Sequence, residues 1–142
     1  MQVDNILQSK GRTVHTVTAR ASIADAVDIL NRQRIGAVVV TDNGKVIGIL
    51  SERDVVRHLG SDWNGLAKKP VADVMTRNVI TASSESTVAD LMERMTEHRI
   101  RHMPIVESDG QLNGIVSIGD IVKRKIEETE QEAMALKQYI AS

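Results

Sequence analysis

Apolar and polar positions along this 142-residue chain run through the same succession of periods twice. In the first pass, the β-branched stretch Val14-His15-Thr16-Val17-Thr18 predicts a short strand. Ile23, Ala26, Val27 and Leu30 then recur at helical spacing and line one face. Gly36 to Thr41 is a continuous apolar run with the look of a buried strand, and Lys45 to Leu50 follows as its partner. Between them Asp42-Asn43-Gly44 supplies residues that tolerate positive φ, so the pair predicts a hairpin. The second pass repeats the order. Asn78-Val79-Ile80-Thr81 predicts a brief strand, Val88, Leu91, Met92 and Met95 a helix face, and Arg101 to Val106 and Gln111 to Val116 a hairpin turned at Ser108-Asp109-Gly110. Both helices open on a hydroxyl followed three residues later by an acid, Ser22 with Asp25 and Thr87 with Asp90, the pattern of a capping box.

Each hairpin ends in nearly the same words. Gly48-Ile49-Leu50-Ser51-Glu52-Arg53-Asp54 recurs as Gly114-Ile115-Val116-Ser117-Ile118-Gly119-Asp120, 66 residues on (114 − 48 = 66). Such self-similarity marks one supersecondary unit used twice, each copy covering the other's apolar face. The predicted organisation is an N-terminal segment over 1–12, a first repeat over 13–60, a linker over 61–77, a second repeat over 78–126 and a helical extension over 127–142. In that last helix Val122, Ile126, Thr129, Ala133, Leu136 and Ile140 step by four and three past the end of the repeat. The stripe predicts either packing back on the same chain or contact with a partner helix, and a homodimer is the expectation for the second case.

Composition narrows the function. The chain is 42% apolar and 26% charged, ordinary for a globular domain, and its net charge of −1 creates no field for a polyanion. With no Phe, and only Trp63 and Tyr139 as aromatics, it has almost nothing on which bases could stack, so nucleic acid is not expected as a partner. The absence of cysteine excludes disulfides and thiolate metal sites. The segment from Met1 to Leu7 lacks the flank and core of a signal peptide, and no apolar run approaches the roughly 20 residues of a membrane span, so a cytoplasmic protein away from membranes is expected.

Chemistry concentrates where strand meets helix. A helix start offers unpaired N–H groups and partial positive charge that suit phosphate, while Ser and Asp there can hydrogen-bond sugar hydroxyls. Gly48 and Gly114 let a ligand approach the backbone. Ser-x-x-Asp is also an ordinary helix cap, and the chain uses it so at Ser22 and Thr87; what points to a nucleotide is its doubling behind a strand and a glycine. His98 and His102 lie four apart but have no third ligand at metal spacing, so no metal is expected. No cysteine or histidine sits in the context of a nucleophile, and no phosphate-binding loop of the Walker type occurs, so an enzyme is not expected either.

At these residues the chain resembles the tandem cystathionine β-synthase domain family, the CBS pair or Bateman module. The resemblance spans about residues 13 to 126 and rests on the two signature segments, the hairpins before them and Met103-Pro104-Ile105-Val106. It implies an α+β fold of two β-α-β-β-α repeats related by pseudo-twofold symmetry, with adenosine-nucleotide clefts between them and a regulatory rather than catalytic role. By the same resemblance Asp54 and Asp120 would bind ribose, with Ser51 and Ser117 beside ribose or phosphate. Ser51 and Asp54 would face Ile100, Arg101, His102 and Met103; Ser117 and Asp120 would face Ile35, Gly36, Ala37 and Val38. The segments around Thr16 to Thr18 and around Val79, Ile80 and Thr81 would border the adenine.

Phosphate would fall to Arg101 and His102, with Arg53 and Lys10 as further candidates; Arg99 alternates with Arg101 as on a strand and would flank the same cleft, but it is most simply surface charge. Gly36 and Ala37 stand where the second copy has its basic pair, and Val39 stands where it has Pro104, so the two clefts should differ. The implied function is a stand-alone sensor that binds AMP, ATP or NAD and modulates a protein partner. The alternative is an interaction scaffold that dimerises through its last helix, with vestigial clefts.

Overall fold

The computed structural model describes residues 1–141. The first repeat contains β1 (Thr16–Thr18), α2 (Ile23–Gln33), β2 (Ala37–Asp42), β3 (Lys45–Ser51) and α3 (Glu52–Leu59), preceded by an N-terminal helix α1 (Val3–Lys10). The connection holds a short helix α4 (Trp63–Lys68) and a 3-10 turn (Val71–Asp73). The second repeat contains α5 (Val88–His98), β4 (His102–Val106), β5 (Leu112–Ser117) and the long α6 (Ile118–Ala141). The fold is α+β, and its two halves echo one another.

The predicted caps form. Ser22 Oγ accepts the Asp25 N–H at 3.1 Å and Thr87 Oγ1 the Asp90 N–H at 3.0 Å. The faces behind them are buried, with Ile23, Ala26 and Leu30 in one core and Val88, Leu91 and Met95 in another. The first hairpin turns on Asn43 (φ 50°) and Gly44 (φ 80°), the positive pair of a tight turn whose twist matches the strands.

In the first repeat β1 runs parallel to β2, which pairs antiparallel with β3. The second repeat departs from the expected pattern. The predicted strand over 78–81 is not formed as a strand; a single bridge joins Ala82 to Ile105 beside the β4–β5 hairpin. The reason lies in its partner. In the first repeat the Val39 N–H donates to the His15 carbonyl at 3.2 Å, but Pro104 holds the matching place and has no N–H. The ladder therefore begins only at Ala82, whose N–H reaches the Pro104 carbonyl and whose carbonyl accepts from Val106.

Segments outside the repeats complete their cores. Val71, Val74 and Met75 of the connection pack into the first core, whereas Val3, Ile6 and Leu7 of α1 pack into the second. The hydrogen bonds match: Val71 N–H donates to the Ala21 carbonyl and Ile23 N–H to Lys69, as Val3 N–H donates to Ser86 and Val88 N–H to Met1. Gly48 and Gly114 make room for these segments. A Cβ at Gly48 would lie 2.5 Å from Met75 Sδ, and one at Gly114 2.6 Å from Leu7 Cδ2. Both glycines thus serve packing of the chain upon itself.

The last helix does continue past its repeat. Ile121 is its buried anchor, yet Val122, Ile126, Leu136 and Ile140 of the stripe are exposed, and every described residue from Thr129 onward is exposed. Packing back on the same chain is therefore not what the stripe does. The final residue of the predicted extension, Ser142, lies outside the described residues.

Candidate functional site

Asp54 sits in the first turn of α3, held by a closed capping box. Its N–H donates to Ser51 Oγ at 3.2 Å, while the Ser51 N–H and hydroxyl donate to its Oδ2 at 2.9 and 3.1 Å. Thr76, at the end of the connection, donates its hydroxyl to Oδ1 at 3.2 Å. That contact follows from backbone pairing, because Thr76 and Ile49 exchange both N–H···O bonds across β3. A carboxylate fixed at this helix start has acceptor capacity left for a neutral hydroxyl donor.

The carboxylate opens on a cavity of about 440 Å³. One wall is α3 with Ser51, Arg53, Asp54 and Arg57, and the opposite wall is Arg99, Ile100, Arg101 and His102 from the turn into β4. Ile49, Glu52, Thr76 and Gly36 close it. Gly36 lies at the junction between the repeats, where a Cβ would meet Glu52 Oε1 at 2.8 Å and the His102 ring at 3.0 Å. Burial pushes the His102 imidazole below its ordinary value, and Lys10 and Arg101 act the same way against Glu52 and Asp120.

The second copy has a different tenant. Asp120 is boxed with Ser117 as Asp54 is with Ser51: Ser117 N–H donates to Oδ2 at 2.8 Å and Ser117 Oγ accepts the Asp120 N–H at 3.1 Å. The Lys10 ammonium also reaches Asp120 Oδ2 at 2.7 Å, and the Ile115 carbonyl at 2.9 Å. It occupies the place that the Thr76 N–H fills against Ile49 in the first copy. Burial by itself would raise the Asp120 carboxyl, but the hydrogen bond from Lys10 and that from the Ser117 backbone outweigh it and hold the group below the usual carboxylate range.

Two sequence matches decide the family. The profile of the CBS domain fits residues 10–61 and again 71–127. The chain belongs to the CBS-domain family. The CBS-domain containing protein ATU1752 from Agrobacterium tumefaciens is 44% identical, with 87% of this chain and 92% of that one covered and a TM-score of 0.82. The mitochondrial CBS domain-containing protein CBSX3 of Arabidopsis thaliana is 32% identical over 97% of this chain and 71% of its own length. The CBS domain pair of protein MJ0100, crystallised with 5′-methylthioadenosine and S-adenosyl-L-methionine, is 29% identical over 90% and 98% of the two chains, with a TM-score of 0.79.

Within this CBS pair the predicted residues fall into four groups. Ser51, Arg53, Asp54, Gly36, Arg101 and His102 share the cavity. Ser117, Asp120 and Lys10 meet at the second signature segment. Met103, Ala37 and Val38 are buried in strands, Met103 and Val38 fully, and Ile35 packs against the first core. Thr16 and Thr18 are exposed on β1 either side of buried Val17, while Ile80 and Thr81 are half-buried, Thr81 offering its carbonyl to Arg94 at 2.9 Å. Sequence reasoning missed Glu52, Arg57 and Thr76 and preferred surface charge to a cleft position for Arg99, which lines the cavity. The i, i+4 pair Arg53 and Arg57 on one face of α3 was a usable signal; Thr76 had none. No group of three or more metal-ligating side chains forms among the described residues, and no helix there is long and apolar enough to cross a membrane.

Proposed function

We propose that this CBS pair is a regulatory module that binds an adenine nucleotide in the cleft at Asp54. The observation that carries the reading is the juxtaposition across one 440 Å³ cavity of a boxed helix-start carboxylate and a basic segment of the other repeat. Asp54 and the Ser51 hydroxyl oxygen accept from the ribose hydroxyls, Ile49 and Ile100 offer apolar contact, and Arg101 with His102 faces the phosphate end. The MJ0100 pair, crystallised with two adenosyl compounds, supports an adenosine-containing ligand over other nucleosides. AMP, ATP and NAD all fit this description. Because ligand bridges the repeats, its binding biases how they are held together, and a protein partner that prefers one arrangement is regulated by it. Calorimetric titration with AMP, ATP, NAD and S-adenosylmethionine tests the reading. Saturable binding of at least one is expected, and no binding of any at millimolar concentration overturns it.

A second reading is carried by α6. A helix whose apolar residues Met134, Leu136 and Ile140 are all at least 60% exposed has an unsatisfied face, and a homodimer built with this helix covers it. On that reading the module dimerises whether or not nucleotide is bound, and sedimentation of a monomer at high micromolar concentration overturns it.

A further inference from the structure

Four arginines, Arg53, Arg57, Arg99 and Arg101, line the same cavity from two walls. None has an ion pair or hydrogen-bond partner among the described residues, although six other basic side chains of the fold are paired with acids. Arg53 and Arg57 stand one turn apart on α3, and Arg99 and Arg101 flank Ile100 on the strand approach. Like charges so placed repel, and the acids on the same cavity, Glu52 and Asp54, leave a surplus of two positive charges (4 − 2 = 2). Asp54 keeps its charge while it accepts from the neutral hydroxyls of Ser51 and Thr76, and it makes no ion pair with any of the four arginines.

We infer that the Asp54 cleft selects a nucleoside carrying two or more phosphates, with Arg57 and Arg99 gripping the phosphates beyond the first. This rests on the nucleotide reading above and deepens it. Guanidinium forks match phosphate oxygens bidentately, and two forks on facing walls suit a chain of phosphates better than a single one. A ligand with a neutral or cationic tail, such as methylthioadenosine or S-adenosylmethionine, leaves the four cations uncompensated.

The test is calorimetry at low salt, without divalent metal, using adenosine, AMP, ADP and ATP against the wild type and the double variant Arg57→Ala/Arg99→Ala. Both arginines are exposed and unpaired, so the variant should melt as the wild type does, which the same samples check. In the wild type ATP should bind at least tenfold more tightly than AMP, and the advantage should shrink with added salt. In the double variant the ATP-to-AMP ratio should fall to within threefold. Equal wild-type affinity for AMP and ATP within threefold, with binding intact, overturns this inference alone. A double variant that keeps the wild-type ratio overturns it as well. Failure of all four ligands overturns the nucleotide reading and this inference with it.

Discussion

Replacing Lys10 by Met keeps most of the side-chain stem and removes the cation that, among the described residues, touches Asp120. Lys10 Nζ makes two contacts, 2.7 Å to the carboxylate and 2.9 Å to the Ile115 carbonyl, with the two side chains 32% and 24% exposed. A fully exposed ion pair contributes about 0.2–1 kcal/mol, and a hydrogen bond to a charged group about 1.5–3 kcal/mol. Solvent screening at this exposure places the pair near the lower figure of the second range at most, so the expected loss is about 1 kcal/mol. Asp120 is not stranded by the change, because the Ser117 N–H and solvent remain to it. For a chain of this length 1 kcal/mol lowers Tm by about 3 °C.

The loss should depend on pH in a definite sense. The Asp120 carboxyl is held below its unfolded value, so its contribution is fully present above the unfolded value and is lost as pH falls through the folded one. Wild type and Lys10→Met should therefore differ at pH 7 and converge in acid. Thermal melts followed by circular dichroism at a series of pH values measure this. A variant as stable as wild type at pH 7, or a gap that stays constant into acid, refutes the reasoning.

Three further outcomes are expected. Leu7→Ala, at a fully buried position of α1, should cost about 2–5 kcal/mol in urea unfolding, a loss that would be near zero if the first dozen residues were a loose tail. Gly114→Ala should cost about 1–3 kcal/mol by crowding Leu7, and combining it with Leu7→Ala should be less than additive, because both changes meet at one contact. Truncation after Glu127 should leave the Tm of the monomer nearly unchanged, since the described residues removed are almost all exposed; on the homodimer reading sedimentation should show a monomer, and calorimetry should show nucleotide binding retained.

What could be read from sequence was local. Ser51 with Asp54, and Ser117 with Asp120, announce themselves because a cap and its acid are three residues apart, and Asn43-Gly44 announces a turn because few other pairs accept two positive φ values. Contacts set by distant partners were hidden. Lys10 finds Asp120 across 110 positions, and α1 completes the second repeat's core as the connection completes the first. The segment Ile80-Thr81 has strand propensity, but a ladder needs donors on both sides, and Pro104 withholds one. Arg99 looked like surface charge because nothing local says that the turn after α5 faces α3 across a cavity.

The central claim is that nucleotide binds at Asp54 rather than at the Lys10-occupied Asp120. Calorimetry of ATP against wild type, Asp54→Ala and Asp120→Ala tests it most directly, with melting curves to confirm that each variant folds. The account predicts that Asp54→Ala weakens binding at least tenfold while Asp120→Ala leaves the affinity within threefold of wild type. Full affinity in folded Asp54→Ala would contradict it.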